Sequence, residues 1–550
     1  MTSSLKSSVA PNADMAAISD AVRRGQRPLA ISLATSALER GQRHPLVLVL
    51  AAEGMESRGR YPKAVELLMA ATKAAPHHKV AWMRLAALLA RGRHFTRAAA
   101  AFEEVLALDS DNFAARMGAG EMRLWLHDLP AAEEHYRRAS EIDPRAGEPL
   151  GVLALMAAQA RDIPAARDMA KRALSLQPNA LGAEMAIARA DLLEDKPAAA
   201  DARLTRILER PSLDDDNRAG ALDVRAEARD RMDSSAEAFD DYEARNAILL
   251  RLNAAKFGSQ APDRALTIAR GLDAFLSTTP AGDWRGSAGD DALGRRTVRR
   301  HVFLLGFPRS GTTLLEKTLA GHPQIVTLEE INHLATAGRD LNATPEGWRR
   351  LAALNAVEAA ARRETYWSGV TASLGPDLAG KILIDKLPLH TVALPLIAKL
   401  FPNAKILFAV RDPRDVVLGC FRRRFRLNPA MFEFLTLAGA ADYYDAVMGL
   451  GESVRRMMSL DVREARHEAM VADFDREVGN ILEFIGAGWD DEVRNFASRV
   501  GGQVRTPSYA QLARGLNAEG VGQWRRYAHQ MSPVLGRLAP WVGHFGYPAN

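Results

Sequence analysis

The stretch VFLLGFPRSGTTLLEKTLAGHP, residues 302–323, decides the fold of the C-terminal half of the chain. It begins with a short apolar run typical of a buried strand, and GFPRSGTT follows at Gly306–Thr313. The segment LLEKTLAGHP then predicts a helix with Leu314, Leu315 and Leu319 on one face. A strand, a glycine-bounded loop and a helix N-terminus together direct backbone N–H groups at an anion, which the helix dipole also favours. The sequence therefore predicts an anion cradle in an α/β domain.

The cation of this loop distinguishes it from the phosphate loop of ATPases. The spacing of Gly306 and Gly311 matches the first part of the ATPase motif, but Thr312 stands where that motif has its lysine. The cation of the loop is Arg309 instead, and we find no convincing strand that ends in a magnesium-binding carboxylate before the next motif. An ATPase or a kinase is therefore disfavoured.

A second motif, AKILFAVRDPRDVV at residues 404–417, supplies further cations. Ile406–Val410 has the composition of a buried strand, and Arg411 follows at its carboxyl end, where α/β sheets bind their ligands. The helix-like segment VVLGCFRRRF comes next, and we expect Arg411 and Arg423 to reach a second phosphate.

Together the two motifs resemble those of the sulfotransferases that use 3′-phosphoadenosine-5′-phosphosulfate (PAPS). PRSGTTLLEKTLAGHP resembles their 5′-phosphosulfate loop, and VRDPRDVVLGCFRRRF resembles their 3′-phosphate motif. The order of the motifs and the intervening KILIDKLPLH resemble the protein-tyrosine sulfotransferase branch of this family, over residues 299–548. The resemblance implies an α/β P-loop-like sulfotransferase domain with a central parallel sheet, PAPS as co-substrate and no metal.

The resemblance also implies catalytic roles for particular residues. In PQIVTLEEIN, Glu330 falls on the position of the catalytic base, with Glu329 beside it, and either of them could instead be a surface or capping residue. Lys386, after the strand KILID, fits an acid or an electrostatic clamp on the bridging oxygen. Ser508 in VRTPSYAQL resembles the serine that stabilises the transition state, and Arg309 would hold the sulfuryl oxygens.

The nucleotide contacts implied by the resemblance extend over both motifs and the C-terminal segment. They are Arg309, Ser310, Gly311, Thr312, Thr313, Arg411, Gly419, Arg423, His467, Tyr509, Gln511 and Arg514. Two of them depart from the pattern of the family, because Gly419 stands where relatives have a serine and His467 where they have a tyrosine. These departures predict weaker binding of the 3′-phosphate, although His467 can still donate one hydrogen bond.

The first half of the chain carries a 34-residue period. Small residues recur at this step in two ladders, and Pro or Ser marks the break between units in a third. The ladders are Ala52, Ala86, Gly120, Ala154 and Ala188; Ala30, Ala64, Ala98, Ala132, Ala166 and Ala200; and Pro76, Ser110, Pro144 and Pro178. Small residues let two helices approach closely, so the pattern predicts a pair of antiparallel helices per unit. It resembles the tetratricopeptide repeat, which implies an all-α solenoid over residues 15–250.

The domain organisation follows from these patterns. The concave face of a repeat array favours a peptide or protein as acceptor or partner, and a scaffold or homodimer contact is the alternative. Residues 251–298 include a stretch rich in Gly, Pro, Asp and Ser, and we interpret them as a linker or a packed loop. Residues 299–550 then form the sulfotransferase domain.

Composition excludes other classes of protein. The net charge of +5 is too small for a typical nucleic-acid binder, and a single cysteine, Cys420, excludes a disulfide within the chain. The N-terminal residues lack the apolar core of a signal peptide, and no apolar run is long enough to span a bilayer. We therefore expect a cytoplasmic protein that binds neither nucleic acid nor membrane.

Three hypotheses for the function remain at this point. The first is an enzyme that transfers a sulfuryl group from PAPS to a hydroxyl, most favourably that of a tyrosine in a peptide or protein. The second is the same transfer to a carbohydrate, a lipid or a small phenol, and the sequence does not separate the two. The third is a non-catalytic repeat scaffold with a nucleotide-sensing domain, which the joint presence of Glu330, Lys386 and Ser508 disfavours.

Overall fold

The computed structural model describes residues 11–258, 261, 263–284, 298–496 and 520–549. In it the chain divides into two compact units, Met1–Arg203 and Leu204–Asn550. The boundary falls inside a helix, Pro197–Leu208.

The described residues of the N-terminal unit form helices joined by short turns. The helices are α1 (Pro11–Arg23), α2 (Arg27–Glu39), α3 (Pro45–Ser57), α4 (Tyr61–Ala74), α5 (Lys79–Arg91), α6 (Phe95–Leu108), α7 (Phe113–Trp125), α8 (Leu129–Ile142), α9 (Gly147–Gln159), α10 (Ile163–Leu176), α11 (Leu181–Leu193) and α12 (Pro197–Leu208).

Burial of the small-residue ladders confirms the predicted all-α repeat architecture. The alanines of the second ladder, from Ala30 to Ala200, are at most 1% exposed. In the first ladder, a Cβ atom on Gly120 would lie 2.9 Å from the ring of Tyr136, so α7 and α8 can approach only because this position is small. Each 34-residue unit is thus a helical pair closed over small side chains.

The turn between the two helices of each pair has the same backbone conformation in every unit, although the residue type at the turn varies. Positive φ angles of 57° to 71° recur every 34 residues, at Gly25, Gly59, Arg93, His127, Arg161 and Asp195. This left-handed conformation costs a non-glycine residue about 1–2 kcal/mol. Packing of the flanking helices therefore imposes the turn, even where the residue type disfavours it.

The C-terminal unit is built on a parallel sheet of five strands, as the sequence predicted. Its strands are β1 (Arg300–Gly306), β2 (Ile325–Glu329), β3 (Ile382–Lys386), β4 (Lys405–Val410) and β5 (Asp461–Arg466), in the order β2-β3-β1-β4-β5. The central strand β1 pairs with β3 on one side and β4 on the other. Its residues Val302–Leu305 are fully buried, which explains their continuous apolar composition.

Helices pack around the sheet. The α-helices in the described residues of this unit after α12 are α13 (Asp215–Arg231), α14 (Ser235–Phe257), α15 (Ala265–Thr278), α16 (Thr312–Leu319), α17 (His333–Ala337), α18 (Pro345–Ala352), α19 (Ala356–Leu374), α20 (Leu394–Leu400), α21 (Pro413–Phe421), α22 (Pro429–Glu433), α23 (Leu437–Met457), α24 (His467–Ala472), α25 (Phe474–Ile485) and α26 (Ala528–His544). Short 3₁₀ turns lie at Ala281–Trp284, Pro388–Ala393, Asp491–Asn495 and Gln523–Tyr527.

Helices α13 and α14, which the period placed with the repeat array, pack on the C-terminal sheet domain. On α14, Arg245 Nη2 and Asn246 Nδ2 donate to the carbonyl oxygen of Phe421 at the end of α21, at 3.0 and 3.1 Å. On α13, Asp230 accepts a hydrogen bond of 2.8 Å from the hydroxyl of Tyr527. Arg245 and Asn246 thereby fix the C-terminal end of α21, and Asp230 holds the turn that contains Tyr527.

A helix also lies within residues 251–298, which the sequence had indicated as a linker or packed loop. This is α15, whose Leu272 and Leu276 are buried in the core of the C-terminal unit. Arg264, just before it, donates to Glu433 Oε1 at 2.9 Å. The prediction of a linker or packed loop was based on residues 278–294, which are rich in glycine and aspartate. The helical pattern of the residues before them was therefore not recognised.

Candidate active site

The five parallel strands end at one edge of the sheet, and each delivers a predicted site residue there. In sheet order, these residues are Glu330 after β2, Lys386 at the end of β3, Arg309 after β1, Arg411 after β4 and His467 after β5. The order reverses at β1, and ligands of α/β sheets bind at such a switch point outside the carboxyl ends of the strands. Residues far apart in sequence are thus gathered at one place.

The loop after β1 adopts a backbone that requires glycine at two positions. Gly306 has a φ of 150°, and a Cβ atom there would lie 2.6 Å from the carbonyl oxygen of Ala409. Gly311 has a φ of 92°, and its Cβ would lie 2.8 Å from Nδ1 of His467. Between them, Arg309 takes a positive φ of 73°. The chain therefore turns tightly and enters α16 with its backbone open to a ligand.

The N-terminus of α16 is the anion-binding element of this loop. Gly311 is the N-cap and has no side chain to accept from the first amides of the helix, so Thr312 and Thr313 can direct theirs at a ligand. The amide of Ser310 donates instead to the carbonyl oxygen of Phe307, at 3.1 Å. Ser310 therefore offers its hydroxyl rather than its amide.

Arginines make the loop strongly cationic. Desolvation and then the neighbouring charges of Arg411 and Arg423 lower the pKa of Arg309 to about 10, so it stays charged at neutral pH. Arg411 Nη1 also donates to the carbonyl oxygen of Arg309, at 3.2 Å. Because an anion would reduce the mutual repulsion of the three guanidinium groups, the loop suits a ligand with phosphate or sulfate groups.

The two positions that depart from the family pattern both lie against this loop. A Cβ atom on Gly419 would lie 3.4 Å from Cβ and 3.6 Å from Nε of Arg309, which are ordinary contact distances. Burial and the charges of Arg411 and Arg309 lower the pKa of His467 to about 3, so its imidazole is neutral at pH 7. His467 can therefore exchange a hydrogen bond with a ligand but adds no charge.

The C-terminal segment returns to the second motif. Asp415 accepts from the amides of Gly522 and Trp524, at 2.7 and 2.8 Å, and Arg411 donates to the carbonyl oxygen of Gly520. These contacts place residues 520–524 beside the end of β4. The predicted residues Ser508, Tyr509, Gln511 and Arg514 lie outside the described residues.

A cluster of lysines and carboxylates occupies the other half of the site. Lys386 is fully buried, and its Nζ donates to Glu330 Oε1 at 2.8 Å. The same ammonium lies 3.5 Å from Glu316 Oε2 and 3.8 Å from Glu329 Oε1. Lys317 joins the cluster by donating to Glu316 at 3.1 Å and to Glu329 at 2.8 Å. The buried charge of Lys386 is thereby compensated, as a buried ammonium requires.

Glu330 is held in an unusual backbone conformation. Its φ is 53°, a left-handed value that is rare for residues other than glycine and asparagine. Its amide donates to the carbonyl oxygen of Lys386, at 3.0 Å, which pins the turn after β2 to the end of β3. Glu330 keeps 46% of its side chain exposed, against 22% for Glu329. The geometry therefore distinguishes the two: Glu330 faces solvent, and Glu329 pairs with Lys317.

Sequence reasoning missed Glu316 and Lys317 of this cluster. Both lie on α16, in the segment LLEKTL, where the leucines alone were assigned to the buried face. Glu316 is nevertheless fully buried, with 0% of its side chain exposed to solvent. A glutamate within a leucine-rich segment looks like a surface residue unless the lysine that faces it is known.

Comparison with known proteins agrees with this geometry. Residues 301–491 match the model of the sulfotransferase family. This part of the chain is therefore similar to a sulfotransferase-family domain. The match spans the loop after β1, the lysine–carboxylate cluster and the second motif.

Individual proteins that resemble this part of the chain are only distantly related to it. Protein-tyrosine sulfotransferase A of Caenorhabditis elegans is 25% identical over 279 residues, covering 48% of this chain and 70% of the relative. A protein of Aquifex aeolicus (strain VF5), described as uncharacterized, is 26% identical over 249 residues. That match covers 43% of this chain but only 32% of the Aquifex protein, about a third of its length.

Among solved structures, the sulfotransferase domain from the Synechococcus PCC 7002 olefin synthase is 22% identical. The likeness covers 42% of this chain and 96% of that domain, with a TM-score of 0.27. None of the helices in the described residues combines the length and the apolar character that crossing a bilayer requires.

Proposed function

We propose that the C-terminal unit transfers the sulfuryl group of PAPS to a hydroxyl group, most favourably the phenol of a tyrosine in a peptide or protein. The observation that carries the proposal is the pairing of the exposed carboxylate of Glu330 with the buried ammonium of Lys386, beside the arginine-lined loop. A base, a fixed cation and an anion cradle are the parts that transfer of a sulfuryl group requires.

In this proposal the loop and the second motif bind the two ends of the nucleotide. Arg309 and the amides of Thr312 and Thr313 hold the 5′-phosphosulfate at the N-terminus of α16. Arg411 and Arg423 hold the 3′-phosphate. The contact between Arg411 and the carbonyl oxygen of Arg309 keeps the two subsites in a fixed relation, which supports precise placement of the sulfur.

The proposed reaction is a direct displacement at sulfur. Glu330 takes the proton as the O–H bond of the acceptor breaks, and the acceptor oxygen forms the new O–S bond. The bond between sulfur and the 5′-phosphate oxygen breaks, and its electron pair remains on that oxygen. Lys386 stabilises the negative charge that develops there, since its ammonium is buried and cannot be screened by water.

The proposal also covers the identity of the acceptor and the role of the repeat array. A tyrosine acceptor is supported by the likeness to relatives named protein-tyrosine sulfotransferase and by an N-terminal array of a kind suited to binding polypeptides. We infer that the array binds the acceptor polypeptide or a partner protein.

We expect the protein to transfer labelled sulfuryl from PAPS in the presence of excess EDTA, because arginines and a helix N-terminus can neutralise the phosphates. The measurement is a transfer assay against a panel of tyrosine peptides, small phenols and sugars. Label on tyrosine peptides supports the proposal, and label only on sugars or phenols would change the acceptor class. An absolute requirement for a divalent metal would contradict the mechanism.

Gly419→Ser is expected to tighten binding of 3′-phosphoadenosine-5′-phosphate (PAP) about tenfold, since a hydrogen bond to a charged group contributes about 1.5–3 kcal/mol. The new side chain fits, because its Cβ would meet Arg309 only at ordinary contact distances. Calorimetry would compare PAP with adenosine 5′-phosphate, which lacks the 3′-phosphate and should bind unchanged. Equal tightening of both ligands would show that the hydroxyl acts through Arg309 on the 5′ side instead.

A further inference from the structure

Glu316 is a buried carboxylate that the mechanism above leaves without a role. It lies on α16, five residues after Gly311, and its side chain is fully inaccessible. One oxygen, Oε1, accepts from Thr327 Oγ1 at 2.9 Å and from Lys317 Nζ at 3.1 Å. The other, Oε2, is buried, accepts no hydrogen bond within the described part of the chain and lies 3.5 Å from Lys386 Nζ. Glu316 is thus fixed at one oxygen and faces Lys386 with the other.

Three glutamates lie within ion-pair distance of Lys386 Nζ, and they differ in exposure and in their other partners. Glu330 has 46% of its side chain exposed and stands at the open side of the site. Glu316 is 0% exposed, and its Oε1 accepts from both Thr327 and Lys317. Glu329 is intermediate, with 22% of its side chain exposed, and it pairs with Lys317. Glu330 is therefore the most accessible of the three to an acceptor, while Glu316 is enclosed.

The proposed reaction removes the charge of Glu330 at the moment when Lys386 is needed. When Glu330 takes the acceptor proton it becomes neutral, and its 2.8 Å ion pair with Lys386 loses its electrostatic part. A buried ammonium without a counter-ion is strongly unfavourable. A permanent carboxylate that is enclosed, and that lies nearer to Lys386 Nζ than Glu329 does, at 3.5 Å against 3.8 Å, removes this difficulty.

We propose that Glu316 is a positioning residue for sulfuryl transfer: it is the permanent counter-ion that keeps Lys386 charged and oriented while Glu330 is protonated. The inference rests on the proposed function. Glu316 contacts neither acceptor nor nucleotide in this scheme and acts only through Lys386. A purely structural role, in which Glu316 only ties α16 to β2 through Thr327, is the competing explanation.

The test uses the full-length protein, four single variants and one double variant. Glu316→Gln keeps the shape of the side chain and its acceptor oxygen for Thr327, but removes the charge. We expect kcat to fall about ten- to a hundredfold, because small misplacements of a reacting group have effects of this size. The dissociation constant of PAP, measured by calorimetry, should change less than about threefold, since Glu316 acts only through Lys386 in this scheme. Glu316→Asp keeps the charge and should recover part of the loss in kcat.

Glu433→Gln is the matched control. Glu433 is also a buried glutamate of the C-terminal unit, with 3% of its side chain exposed, but it pairs with Arg264 at 2.9 Å instead of a lysine of the site. Its substitution removes a buried charge of the same kind and should lower the urea midpoint of unfolding while leaving kcat within about twofold. A loss of kcat in this control equal to that of Glu316→Gln would assign both effects to lost stability and overturn the proposal.

A double-mutant cycle with Lys386→Met separates positioning from general destabilisation. If Glu316 acts through Lys386, Glu316→Gln should lower kcat no more than about twofold further in the Lys386→Met background. Losses that multiply would overturn the proposal. Where the Lys386→Met variant is too slow to assay, the urea midpoints decide: the double variant should lose clearly less than the sum of the singles, and an additive loss would again overturn it.

An error in the proposed function would give results different from an error in the inference about Glu316. If PAPS is not the donor, the unmodified protein would fail to bind PAP and to transfer label. The inference about Glu316 fails only when the unmodified protein is active and Glu316→Gln keeps its kcat, or when the cycle is additive.

Discussion

Glu330→Gln is expected to lower kcat for sulfuryl transfer by about 10²- to 10⁴-fold, the usual effect of removing a general base. The glutamine can still accept from Lys386, so the left-handed turn at residue 330 and its link to β3 should persist. PAP binding should change little, because Glu330 follows β2 while the nucleotide loop and the second motif follow β1 and β4. The measurements are kcat with saturating PAPS and calorimetry of PAP.

Glu329→Gln is the control for this prediction. Glu329 is one residue away and has the same chemistry, but it is less exposed and pairs with Lys317 at 2.8 Å. We expect it to affect kcat far less than Glu330→Gln. A reversed order would mean that Glu329 is the base, and full activity of both variants would exclude a carboxylate base at this position.

A chain that begins at Leu204 is expected to fold, and a chain that begins at Arg251 is not. The second chain lacks α13 and most of α14, whose Phe239 and Tyr242 belong to the same core as the sheet. Phe239 also stacks on Phe421, with ring centroids 4.9 Å apart. Loss of each large core side chain costs about 3–5 kcal/mol, and a domain has about 5–15 kcal/mol in total. Removing two packed helices therefore exceeds the stability available.

Thermal unfolding followed by circular dichroism, together with PAP binding, would test both chains. The chain from Leu204 should melt cooperatively and bind PAP with the affinity of the full-length protein. The chain from Arg251 should show no cooperative transition and no binding. Cooperative melting and unchanged PAP affinity of the shorter chain would show that the sheet domain begins after α14, as the sequence pattern suggested.

The parts of the site that lie in continuous motifs could be predicted because local chemistry defines them. The loop from Gly306 to Thr313 has to be glycine-bounded and has to follow a strand and precede a helix, and all of this is visible in one short stretch. The structure places Arg309, Arg411, Lys386 and Glu330 at one sheet edge, as expected of residues that follow parallel strands. Their catalytic roles stay predictions.

The repeat was equally visible, but its end was not. Small residues recur every 34 positions because each helical pair needs them at the same contact, so the period can be read without a structure. The pattern of α13 and α14 continues this helical character, although Arg245 and Asn246 turn their polar groups to the end of α21. An amphipathic pattern shows that a helix has a buried face, but not which neighbour covers it.

The sequence alone thus determined the class of each half of the protein: helical pairs from the spacing of small residues, and an anion-binding α/β domain from a loop whose backbone only certain residues allow. Tertiary structure alone decided that α13 and α14 belong with the sheet, that Glu330 faces solvent while Glu329 pairs with Lys317, and that Glu316 lies buried against Lys386. Spacing and backbone geometry are local and repeat along the chain. The partner of a buried charge is set by residues distant in sequence, because desolvation and Coulomb attraction depend on where the folded chain places the opposite charge.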